Sequence, residues 1–189
     1  MAVFSSRRER RLWLWTLAVV VAIYATLGLA RTAAGILRDL GLLEAFFGLG
    51  MFLLAAAIVA QGVKARPGWR EIAVALGVAA ATLMVFARIG SPEERTHLIE
   101  YGVVGLLIHE ALLERQSRGR RVPLPPLLAI LATAALGLLD ECIQAFLPSR
   151  VFDPRDILFN LLAGTMAVSA SVALAWAWRR RNRTSPRAP

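Results

Sequence analysis

A chain of 189 residues that is 57% hydrophobic, with a mean hydropathy of +0.58, carries more apolar surface than a soluble domain of that length needs. Its apolar runs approach the ~20 residues that cross a ~30 Å hydrocarbon core, and they lack the short alternating segments of a β-barrel. The net charge of +9 does not indicate a nucleic-acid partner, because the basic residues fall in short connections between apolar runs.

The chain therefore reads as an all-α polytopic transmembrane bundle of about six helices, at 12–30, 42–60, 71–89, 92–113, 124–147 and 154–178. Arg7, Arg8, Arg10 and Arg11 precede the first span. Gly28-Leu29-Ala30 has the look of a cleavage site, but the apolar run before it exceeds the ~7–15 residues of a signal peptide. The first span is expected to stay as an uncleaved helix. Alternate connections hold sixteen Lys and Arg on one side against six on the other. The positive-inside rule then places both termini in the cytoplasm. Arg in place of almost every Lys fits a bacterial source, and hence the cytoplasmic membrane. Three units are expected: 1–70 with two helices, a four-helix core at 71–178, and a basic, disordered tail at 179–189 that lies on anionic lipid or serves only as a stop-transfer and topology signal, which is enough to explain it.

Several single residues are read as structural. Trp13, Trp15, Trp69, Trp176 and Trp178 lie near span ends, as interfacial anchors do. His109 and Glu110 are expected to snorkel to the cytoplasmic interface. Cys142, the one cysteine, is a small packing residue. Tyr24 has no evident partner.

Two span starts are well marked. Ser91 caps the fourth, with Pro92 at the first helical position and Glu94 at the third. Asp153 caps the sixth, with Pro154 and Asp156 in the corresponding places. By the same topology both starts face outward.

The stretch 140–164 concentrates polar residues that are costly at membrane depth. At 1.5 Å per residue, His97 and Glu100 lie about 8 and 12 Å from Pro92. Asp140, Glu141 and Gln144 lie about 12, 10 and 6 Å from Pro148, and Asn160 about 9 Å from Pro154. Three helices thus place polar groups in one outer layer, and Glu44 is a candidate from a fourth. His97 with Glu100, Glu141 with Gln144, and Asp156 with Asn160 share helix faces. Gly164 continues the last face and permits close helix approach. Arg150 or Arg95 would overhang the cluster from the loops.

Two readings remain open. The residues form a site, with His97, Glu100 and Glu141 as candidate catalytic groups and Gln144, Arg150, Asp156 and Asn160 as binding groups. Alternatively they are caps and interhelical hydrogen-bonding ties. A metal is undetermined, although His97, Glu100, Glu141 and Asp156 make a mixed nitrogen–oxygen set suited to Mg, Mn or Zn. A Ser–His–Asp arrangement is disfavoured, because Ser91 is engaged as a cap and Ser149 has no spacing that points to His97.

Two blocks of residues carry a family resemblance. One is Glu94-Arg95-Thr96-His97-Leu98-Ile99-Glu100-Tyr101-Gly102 with Leu106. The other is Asp140-Glu141, Gln144, Phe146, Pro148-Ser149-Arg150, then Asp156, Asn160 and Gly164. In these blocks the chain resembles the VanZ-like family of integral membrane proteins, over roughly residues 80–178. It departs from the pattern at Ser149, where Gly is common, and at Glu94, which stands beside the expected basic residue. The resemblance implies a role in the bacterial cell envelope, since the founding member is associated with low-level glycopeptide antibiotic resistance. It implies no particular reaction.

Three functions follow as candidates. The first is an enzyme or modifier of a lipid-linked or cell-envelope head group, plausibly phosphate- or sugar-bearing. The second is a non-catalytic binding or structural protein of the membrane. A small transporter ranks last, because no Gly or Pro breaks the sixth span.

Overall fold

The computed structural model describes residues 3–43, 45, 49, 68–88, 92–147 and 152–184. The protein is all-α. Five helices are described along their length: α1 (Arg7–Asp39), α2 (Trp69–Arg88), α3 (Pro92–Ser117), α4 (Pro125–Gln144) and α5 (Pro154–Thr184). Residues 43, 45 and 49, within the predicted second span, are helical too, and most of that span lies outside the described residues. Among the described residues three helices are long and apolar enough to cross a membrane: Arg7–Leu27, Pro125–Gln144 and Pro154–Ala177.

Helix limits follow local chemistry. α3 and α5 begin at the two prolines, as their sequences predict. The Asp153 Oδ1 accepts a 2.9 Å hydrogen bond from the Arg155 amide, which confirms the cap on α5. α1 differs from expectation. Ser6 caps it, accepting from the Glu9 amide at 3.0 Å, so the basic residues from Arg7 onward are helical. The helix then passes through 28–30 and ends only at Asp39, a length of about 50 Å. The apolar stretch alone understated it, because arginines are good helix formers. The basic tail, expected to be disordered, is helical as far as Thr184 for the same reason.

α3 is the centre of the bundle and packs on α1, α4 and α5, while α2 packs on α5. Its buried stripe of Leu98, Tyr101, Val104 and Ile108 meets Ile23, Ala129, Ala163 and Val168 from the other three. Where α3, α4 and α5 cross, small residues let the backbones meet. A Cβ on Gly105 would lie 3.1 Å from the Gly164 Cα and 3.2 Å from the Thr133 hydroxyl. Close approach at Gly164 was expected; its partners are Gly105 and Thr133.

One end of the bundle is closed by a charged junction. Ser6 donates to the Glu114 carboxylate at 2.8 Å, and Arg8 pairs with Glu110 at 3.0 Å and Glu114 at 3.3 Å. Arg118 adds a 3.1 Å contact to Glu114, and Arg115 approaches the buried Glu9 at 3.6 Å. Glu110 is thus paired at this end. His109 is buried in the bundle instead of reaching outward, which corrects the snorkelling expectation. It lies one turn beyond Gly105 on the face toward α5 and is buried, with no hydrogen bond to either ring nitrogen among the described residues.

The Ser6 hydroxyl, followed by Arg118, holds the Glu114 carboxyl below the usual carboxylate range. A depressed pKa contributes stability above the unfolded value of 4.5, and the contribution is lost as pH falls through the lower folded value. Melting temperature should therefore drop on acidification below about pH 4.5. Glu114→Gln should flatten that limb of the profile; an unchanged limb would mean that the junction does not report on Glu114.

Candidate functional site

At the opposite end, the last turn of α4 and the first of α5 bring the polar residues together. Asp140, Glu141 and Asn160 are 0% exposed and Gln144 is 1% exposed. Burial of four such groups in an apolar bundle demands compensation. Glu141 obtains it on both carboxylate oxygens. Oε1 accepts from the Gln144 amide at 3.0 Å, one helical turn away, and Oε2 accepts from the Asp153 backbone N–H at 3.1 Å. That second bond crosses from α4 to the cap of α5, so Glu141 fixes how α5 starts.

Asp140, Asp153 and Asp156 all lie within electrostatic range of Glu141. Asp156 is half-buried, one turn before Asn160 on the same face of α5. Asn160 occupies the notch left by Gly137, where a Cβ would fall 2.6 Å from the Asn160 Cβ and 2.8 Å from its Nδ2. Side chains on a helix lean toward its N-terminus, here toward Asp156 and Asp153. Neither atom of the Asn160 amide has a hydrogen-bond partner among the described residues.

Two further residues, both tyrosines, join the site. Tyr101, 1% exposed, interacts through its hydroxyl with Asp140, and Tyr24 interacts with Tyr101. Tyr24 also donates a 2.8 Å hydrogen bond to the Leu136 carbonyl, tying α1 to α4. Asp140 and Tyr101 stand in the motif blocks, but nothing in their spacing pairs them. Tyr24 was left without a partner because a backbone carbonyl acceptor has no sequence signature.

The structure thus assembles Glu141, Gln144, Asp156 and Asn160, with Asp140 added. Glu100 is half-buried on α3, beside Tyr101, and its charge acts on that residue. His97 is on the first turns of α3, but its side chain lies outside the described ones, as do Arg95, Glu44, Ser91 and Arg150. Among the described residues no group of three or more His, Cys, Asp or Glu is arranged to hold a metal ion.

These features define an all-α membrane protein with a buried polar cluster at one end of an apolar bundle. The family model for VanZ/LLP1 matches residues 40–175, and the chain belongs to that family. The match begins well upstream of the two motif blocks and so takes in the second predicted span. No curated protein and no solved structure matches the chain.

Proposed function

We propose that this protein binds, and acts on, the polar head group of a lipid-linked or cell-envelope molecule at the end of the bundle that carries Glu141. The observation that carries this reading is Asn160. Its amide is fully buried and has no hydrogen-bond partner among the described residues; leaving such a group unpaired costs roughly 1–3 kcal/mol, and a helix bundle has no reason to retain it for stability. A bound head group with hydroxyl, amide or phosphate groups offsets that cost. In this reading six helices cross the bacterial cytoplasmic membrane with both termini inside, so that the cluster faces outward. His97, Glu100 and Arg150 complete the site, Arg150 offering a planar fork to phosphate or carboxylate. Glutamate 141, bonded at both oxygens, orients Gln144 and the start of α5.

A second reading has specific support. The same two bonds to Glu141 are those of a structural tie, and a membrane protein without catalysis would also use them. Arg150 separates the readings. If it only neutralises Glu141, Arg150→Leu combined with Glu141→Leu is tolerated better than either change alone. If it holds a substrate anion, Arg150→Lys already reduces tolerance to a glycopeptide antibiotic while the melting temperature stays at the wild-type value. Full tolerance in Arg150→Lys and in the double variant would rule out the head-group site.

A further inference from the structure

The basic end of the bundle carries a feature that the polar cluster does not explain. Between α4 and α5 runs a groove of about 460 Å³, lined by Pro126, Ile130, Val168, Val172, Ala173 and Trp176, with Ser169 at its rim. From Val168 to Trp176 it follows α5 for about 12 Å. Its walls are apolar.

Three arginines lie on the chain segments next to the groove's Pro126 and Trp176 end. Arg179 is three residues beyond Trp176, on the same face of α5, and is exposed. Arg120 and Arg121 lie on the loop leading into α4, a few residues before Pro126, and are exposed as well. That loop is held in place. Gln116 Nε2 donates to the Val122 carbonyl at 3.2 Å, Val122 is buried, and Gly119 turns the chain at φ +78°. The neighbouring Arg8, Arg115 and Arg118 are all paired with carboxylates of the α1–α3 junction. Arg120, Arg121 and Arg179 have no ion pair among the described residues. Between them, Leu124 is 68% exposed in a left-handed conformation, φ 43°, directly before Pro125.

We infer that this groove is a binding site for an anionic glycerophospholipid of the surrounding leaflet. One acyl chain lies along α5 between Ile130 and Val172, and the phosphate sits among Arg120, Arg121 and Arg179. Charge and shape select the occupant together: an apolar channel fits any acyl chain, but three guanidinium groups on the adjoining segments, without an ion pair among the described residues, fit an anionic head group. The site does not depend on the head-group reading of the opposite end.

The test is a lipid titration of the purified full-length protein followed by native mass spectrometry. Phosphatidylglycerol and phosphatidylcholine with identical chains are the probes. Phosphatidylglycerol should bind at least about tenfold more tightly, and each Arg→Gln change at 120, 121 and 179 should weaken it about fivefold. Ala173→Phe fills the groove and should abolish retention of both lipids with all three arginines intact. If that variant loses its helical circular dichroism, Ser169→Phe at the rim serves in its place. Equal binding of the two lipids would overturn the inference, as would retention unaffected by groove filling, which marks surface adsorption alone. A dimer that dissociates on groove filling would give the groove to a second copy of the chain and overturn it too.

Discussion

Glu141→Leu is expected to destabilise the protein by about 2–4 kcal/mol, because it strands the Gln144 amide and the Asp153 N–H together. The two losses differ in kind. Gln144 is buried on the same helix, so its orphaned amide has little room to turn elsewhere. Asp153 belongs to the cap of α5, so its orphaned N–H loosens the junction between helices. Glu141→Gln keeps the shape and one acceptor, and should cost only about 1 kcal/mol. Unfolding in detergent, followed by circular dichroism, ranks the pair. Equal losses in both variants would show that charge, not the two hydrogen bonds, is what the fold requires of Glu141.

The other large effect is expected at Gly137. A Cβ there meets the Asn160 Cβ at 2.6 Å, so relief requires the two helices to move apart rather than a side chain to swing away. Gly137→Val should cost about 3 kcal/mol, the upper part of the range for overpacking. Gly77, on α2, has nothing among the described residues within 4 Å of the same position, and Gly77→Val should be close to neutral. The contrast isolates helix packing from the general effect of replacing glycine. If Asn160→Gly, which removes that Cβ, restores the Gly137→Val variant, the clash is the one between these two residues; a failure to restore it would place the strain elsewhere.

These residues also show what the sequence could and could not convey. Pro92 and Pro154 marked helix starts correctly, because proline at the first helical turn and a capping residue before it act locally. The pairing of Glu141 with Gln144 was legible from i,i+3 spacing, and the small residue at Gly164 from its place on the Asp156–Asn160 face. Long-range partners were not legible. Nothing near Tyr24 names the Leu136 carbonyl, and nothing near Glu9 or Glu114 foretells a junction between residues about a hundred positions apart. His109 misled for a related reason. Its distance from the helix end suggested an interface, whereas its angle around α3 directs it inward. Depth is read along one helix, but facing depends on where the other helices stand.

Asn160→Leu tests the central claim most directly, with stability and glycopeptide tolerance measured on the same variant. Leucine has nearly the outline of asparagine and fits the Gly137 notch, and it removes a buried amide that makes no hydrogen bond among the described residues. If the amide is there for a head group, the melting temperature should hold or rise while tolerance is lost. A variant that melts lower, or one that keeps full tolerance, would contradict the account and leave Asn160 a structural residue.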